Sequence, residues 1–279
     1  TMVRDLAERD QAARAMSLMM ACTSIAPMLA PLIGGQVLWF LGWRAIFWVL
    51  AGIGVIGLAA AWFRLPETLR PEYRQPLVLS SVLRRFGELF RHRAFMGYAF
   101  TGTFQFSALL SFLSGSPFVF IERYGVSPQQ FGLIFGGMVV FMTLGSLLNA
   151  RFVRVFGAGR ILRYAVIVPA VAGSCALVLG IIEARTGAIG MWPFILCIGP
   201  QIATISLIGP NSMAMALQRY PHMAGTASSL MGVMQFGIGA VFGAMVGQFF
   251  DGTVLPMVAA MGTAGVLCLL SHRLLVRGG

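Results

Sequence analysis

Among the carboxamide side chains within long uncharged stretches of this chain, four stand well inside a run, near kinks or aromatic rings: Gln105, Gln201, Asn211 and Gln235. Aromatic rings accompany two of them, Phe104 and Phe112 near Gln105 and Phe236 beside Gln235. A carboxamide donates and accepts hydrogen bonds but carries no titratable proton. Such a set can hold an uncharged or amphipathic small molecule through hydrogen bonds and ring contacts. The same groups can instead tie helices together, at roughly 0.6 kcal/mol per interhelical bond. Covalent catalysis is outside their reach. All 20 basic residues are arginine, which leaves no lysine for a Schiff base, a Ser-Lys dyad or a phosphate loop. His92, His222 and His272 never fall at ligand spacing, and Cys22, Cys175, Cys197 and Cys268 lie singly with no CxxC pair. Neither a metal site, nor a cofactor, nor an enzyme is expected.

The elements that position these groups are apolar spans. Asp, Glu, Lys and Arg are absent from Ala15–Phe40, Ala45–Phe63, Ala94–Ile121, Phe131–Leu148, Tyr164–Ile182, Met191–Leu217, Met223–Phe250 and Val254–Leu270. A bilayer core of ~30 Å is crossed by ~20 apolar residues in a helix. Eight such runs in 279 residues, with 58% hydrophobic composition, leave no polar face for a soluble fold. The class is an all-α, multi-pass membrane protein with the lipid bilayer as its solvent.

The net charge of +11 would point to nucleic acid in a soluble chain. Here the arginines sort by loop. If the spans cross alternately, Arg44, Arg123 and Arg185 fall on one side and the other 17 on the opposite side. Basic residues mark cytoplasmic loops, so the arginine-rich side and the C-terminus are expected in the cytoplasm, with no nucleic-acid partner. Every carboxylate falls outside the spans, with Glu122, Glu183 and Asp251 at their outer ends. An acid at membrane depth is costly and usually functional, and none is seen here.

The longest hydrophilic segment separates residues 1–63, carrying two spans, from residues 94–279, carrying six. Within this linker, 64–93, the run SSVLRRFGELFRHRAF places Val82, Leu83, Phe86, Leu89 and Phe90 on one helical face with Arg84 and Arg91 opposite. That pattern predicts an interfacial amphipathic helix. Two helices, a linker and six helices read as a twelve-helix plan of two repeated halves, here without its first four helices.

Motifs sharpen the reading. Ala26, Ala30 and Gly34 recur at four-residue intervals beside Pro27, Pro31 and Gly35, giving a smooth, kinked helix. Gly239, Gly243 and Gly247 form a second smooth stripe, expected to serve contact within the bundle. The segments VRDLAERDQAARAMSLMM, LGWRAIFWVL, LPETL, FLSGSPFVFIERYGVSPQQFGLIFG, GSLLNARFVRVFGAGRILR and AGTASSLMGVMQFGIGAVFGAMVGQ resemble, in order, the Bcr/CflA drug-resistance branch of the major facilitator superfamily. The resemblance covers essentially the whole chain.

It implies that the eight spans are helices five to twelve of the family's fold. It also implies a proton-coupled antiporter of the bacterial inner membrane that expels drugs or small metabolites and works as a single chain. Ala26, Pro27, Ala30, Pro31, Gly34 and Gly35 would then be the antiporter motif. Gly145, Asn149, Arg151, Gly157 and Arg160 would belong to the cytoplasmic gating loop, where Asn149 replaces the family's acid and forms no ion pair. The coupling acids would lie in the family's first helix, so the chain by itself is not expected to transport. Gln105, Phe104, Phe112, Gln201, Asn211, Gln235 and Phe236 remain the candidates for substrate contact. An importer of the same superfamily, a narrow metabolite exporter, and a passive channel or structural subunit are the competing functions. The proline-rich helix argues against an importer, and repeated Gly/Pro breaks argue against a fixed pore.

Overall fold

The computed structural model describes residues 40–64, 79–218, 220 and 223–276, with isolated positions 34 and 37. The chain falls into two compact units, 1–77 and 78–279. The described part of each is helical.

In the first unit, Gly34, Val37, Phe40 and Leu41 are helical, and Gly42 at φ +77 turns the chain into α1, Trp43–Arg64. The expected connection Leu41–Arg44 is thus one glycine long, and Arg44 already belongs to α1. Its guanidinium lies 4.9 Å above the Trp43 ring. Ala26, Pro27, Ala30, Pro31 and Gly35 lie outside the described residues, as does most of the expected span Ala15–Phe40.

The second unit begins with α2, Leu79–Arg91, the expected amphipathic helix. Leu89 is buried and Phe86 partly so, whereas Phe90 is exposed. Arg84 pairs with Glu88 one turn on, in the open. Six spans follow. α3 is Arg93–Pro117, extended by a wider turn through Arg123. α4 is Pro128–Phe156. α5, Ala158–Ala165, and α6, Ile167–Thr186, form one span with a break at Val166. α7, Met191–Ala203, and α8, Ile205–Gln218, form another with a break at Thr204. α9 is Ala224–Gln248, and α10 is Leu255–Ser271, continued by a wider turn to Val276. With α1, seven helical runs among the described residues are long and apolar enough to cross a membrane.

α3 is the central post, with α8, α9 and α10 packed on it and α6 behind α10. Small residues set these approaches. Gly173 of α6 and Gly262 of α10 meet backbone to backbone, so a Cβ on Gly262 would stand 2.8 Å from the Gly173 carbonyl oxygen. The stripe of Gly239 and Gly243 lies against Leu110 and Ser114 of α3, where the Ser114 hydroxyl donates to the Gly243 carbonyl at 2.8 Å. This is the contact within the bundle that the spacing predicts.

Two apolar clusters fill the interior. One gathers Leu89, Phe95, Leu162, Ile208, Met231 and Cys268. The other gathers Phe112, Phe120, Phe194, Val254, Met257 and Met261. Along α3, Thr101, Thr103, Gln105 and Ser107 lie between them, all buried. The interior is therefore apolar at both ends and polar across a middle belt.

Candidate functional site: a neutral polar belt at a broken helix

Most hydroxyls of the belt satisfy themselves. Thr101 donates to the Gly97 carbonyl at 2.6 Å, Ser107 to Thr103 at 2.9 Å, and Ser111 to Ser107 at 2.8 Å. Such back-bonding within one turn makes a hydroxyl acceptable in an apolar helix. Gln105 instead reaches across to α7. Its Nε2 donates to the Gln201 carbonyl at 2.9 Å and to Thr204 Oγ1 at 3.1 Å. Gln201 in turn donates through Nε2 to the Met261 carbonyl of α10 at 2.9 Å. Two of the candidate amides thus join α3, α7 and α10 in one relay.

The relay sits on the break between α7 and α8. The Gln201 carbonyl takes hydrogen bonds from Gln105 and from the Thr204 hydroxyl, the latter at 2.6 Å. Side chains therefore replace backbone partners where the helix is interrupted. Gly209-Pro210 is the more conspicuous breaker in this run of sequence, yet α8 runs unbroken through Pro210, and the break lies at Thr204. Pro200 upstream removes one backbone donor, and the two side-chain donors at the Gln201 carbonyl stabilise the interruption there rather than at Pro210.

Asn211 and Asn149 meet. Asn211 Nδ2 donates to Asn149 Oδ1 at 2.7 Å and to the Leu207 carbonyl at 2.7 Å. Ser206 also donates to the Met142 carbonyl at 2.9 Å, so α8 is held to α4 twice. A residue expected in the cavity and one expected in the gating loop form a single contact. That loop is itself helical: α4 runs on to Phe156 and α5 starts at Ala158. Gly157 alone joins them, at φ +76, a conformation that favours glycine. Arg151 and Arg160 are exposed on either side of it. Gly145 is buried against α7, where any Cβ would run into the Ala203 carbonyl oxygen.

The remaining candidates divide by burial. Gln235 on α9 is half-buried, and its amide nitrogen lies over Gly102 beside Ser212, 3.3 Å from where a Cβ would stand. Phe236 is exposed, edge-on to Phe106 at 5.1 Å between centroids. Phe104 is half-buried, stacked on Phe100 at 5.7 Å. Phe112 lies in the apolar core, stacked on Phe135 at 6.1 Å. Six buried side-chain oxygens among the described residues of the second unit find no hydrogen-bond partner: Gln105 Oε1, Gln201 Oε1, Ser212 Oγ, Thr103 Oγ1, Ser116 Oγ and Glu183 Oε2.

The structure also corrects the expectation that no carboxylate lies within a span. Glu183 belongs to the last turn of α6, inside the apolar run 158–186, and is 1% exposed. Arg123, at the end of α3's extension, grips its Oε1 through Nη2 at 2.6 Å and Nε at 2.9 Å. Tyr124 beside it donates to the Ile189 carbonyl at 3.1 Å. Burial, and next the Glu183 charge, push the Tyr124 phenol up to about 12, against the lowering effect of Arg123. Sequence reading placed Glu183 in an outer connection because it follows the uncharged run directly. The available signal was Gly187 four residues later: a glycine helix cap leaves Glu183 one turn inside the helix. Gly187 does cap α6 in the left-handed conformation.

The sequence pattern of the Major Facilitator Superfamily matches residues 1–244. The chain belongs to the major facilitator superfamily. This superfamily is one of membrane transporters rather than enzymes, and the apolar helices described above agree with its multi-pass, all-helical fold. A bicyclomycin resistance protein homolog of Haemophilus influenzae is 35% identical over 271 residues, covering 97% of this chain and 67% of that protein. An uncharacterized MFS-type transporter of Bacillus subtilis, YdgK, is 33% identical over 267 residues, covering 95% and 65%. A chloramphenicol resistance protein of Pseudomonas aeruginosa is 29% identical over 230 residues, covering 82% and 52%. This superfamily member spans about two thirds of the length of the first two relatives.

Proposed function

We propose that this protein exports drugs or small amphipathic metabolites across the bacterial inner membrane in exchange for protons, by alternating access. The observation that carries the reading is the neutral amide relay at the Thr204 break. Hydrogen bonds of about 0.6 kcal/mol are cheap to rearrange, so a helix interrupted on such bonds can change its angle without exposing a charge. Two relatives bear the names of resistance to bicyclomycin and chloramphenicol, which supports drugs as substrates.

Within this reading the candidates take two roles. Gln235, Phe104 and Phe236 contact substrate, with the unpartnered oxygens of Ser212 and Gln105 accepting from it as the break moves. Gln201, Asn211 and Phe112 work from inside the bundle, holding the helices that move. Asn149 with Asn211 replaces an ion-paired gate by a neutral one at the arginine-rich, cytoplasmic side. Ala26, Pro27, Ala30, Pro31, Gly34 and Gly35 pack the antiporter helix. The spans correspond to helices five to twelve, in a monomer of two halves divided near residues 64–93. The coupling acids then belong to the family's first helix.

The test is efflux of a fluorescent cationic dye from an efflux-deficient bacterium carrying the complete reading frame. Lower dye accumulation that an uncoupler abolishes is the expected result. Efflux that persists without a proton gradient would overturn the coupling, and unchanged accumulation of every drug and dye tried would overturn the substrate class.

A further inference from the structure

A groove away from the polar belt has its own chemistry. Phe152 and Phe156 stand one turn apart at the end of α4, and Arg160, Tyr164 and Val168 follow at four-residue intervals across α5 into α6. These two stripes, with Leu207 of α8, line a groove of about 430 Å³. That is the size of a small-molecule pocket, yet its polar groups are few: the Arg160 guanidinium and the Tyr164 hydroxyl stand among aromatic and aliphatic carbon. Around it the charge is of one sign. Arg151, Arg154, Arg160 and Arg163 are all exposed, no Asp or Glu occurs from residue 128 to 182, and among the described residues none of the four is ion-paired.

An apolar groove beneath unpaired arginines, at the end of a membrane span, fits one kind of molecule. It has a hydrocarbon tail and an anionic head. We propose that the groove holds an acyl chain of an anionic phospholipid, with its phosphate on Arg160 and the neighbouring arginines. Basic pockets between spanning helices recognise lipid head groups in this way, and one basic residue near an anionic surface is worth about fivefold in binding. Arg160 supplies charge and direction, while Phe152, Phe156 and Val168 supply the apolar walls.

The site is tested on the purified chain in detergent. Dioleoylphosphatidylglycerol and dioleoylphosphatidylcholine have the same tails and differ in net charge, and retained lipid is counted by native mass spectrometry. The anionic lipid is expected to be held at least about fivefold more tightly. Arg160→Gln, a change at an exposed side chain, should cut that preference by about fivefold. Val168→Trp, which fills the groove, should release both. Equal retention of the two lipids by the unaltered chain overturns the proposal, as does a preference that survives both variants. Displacement by glycerol 3-phosphate, a head group without a tail, would overturn the lipid as source. Trypsin cleavage at Arg74 appearing only in Val168→Trp would assign the groove to residues 65–78 of the chain itself. A dimer mass lost only in that variant would assign it to a second copy. Retention is read without substrate or gradient, so its failure is separable from failure of the transport reading.

Discussion

Arg123 and Glu183 meet as full charges at the outer end of the bundle, whereas Gln105, Gln201 and Thr204 meet as neutral dipoles in its middle. Both regions bury polar groups among apolar helices, and both bridge α3 to a second span. Their costs of disruption differ by nearly an order of magnitude. Breaking a buried ion pair by removing one partner costs about 3–5 kcal/mol, against about 0.6 kcal/mol for an interhelical amide bond in a membrane. The charged end is therefore a fixed point, and the neutral middle is where the bundle can rearrange.

The largest effect should come from the charged end. Arg123→Ala leaves Glu183 wholly buried and unpaired, and should lower thermal stability in detergent by about 3–5 kcal/mol. Glu183→Ala should cost clearly less, because the Arg123 side chain is 36% exposed and can turn to solvent. A reversed order would break the comparison. Next comes Gly145→Val, which drives α4 off the Ala203 carbonyl and should cost about 1–3 kcal/mol by overpacking. Gln105→Leu keeps the volume and removes the amide, so it should change stability by only about 0.6–1.7 kcal/mol. It should nonetheless slow dye efflux severalfold. Unchanged efflux would show that the relay is only glue.

The smallest effect is on pH. The Tyr124 phenol is raised in the folded chain, so its contribution is complete below the ordinary tyrosine value of 10.0 and is lost as pH rises toward about 12. A thermal series from pH 9 to 12 should fall less steeply in Tyr124→Phe. An identical slope in both would show that burial and the Glu183 charge do not raise the phenol.

The spans were legible in the sequence, and the meetings between them were not. Met191–Leu217 is recognisable by its lack of charge, but uncharged residues all round leave no stripe to say which side faces α3. The pairs Gln105 with Gln201 and Asn149 with Asn211 depend on that rotation, so composition names the residues without joining them. Pro210 is the more conspicuous breaker, beside Gly209, yet the break sits at Thr204 because tertiary hydrogen bonds to the Gln201 carbonyl decide it. The glycine stripe on α9 was readable because its spacing states both the face and the reason for close approach. Glu183 was read outside the bundle because an apolar run ends at its first charge in sequence, while a helix ends one turn later at its cap.

Gly157 carries a mechanical consequence. One residue spans at most ~3.6 Å, so the ends of α4 and α5 are tethered at a nearly constant separation. The two helices can pivot about that point but cannot slide past each other. An added residue there would lengthen the tether and let the two segments slip out of register, with no side-chain contact removed.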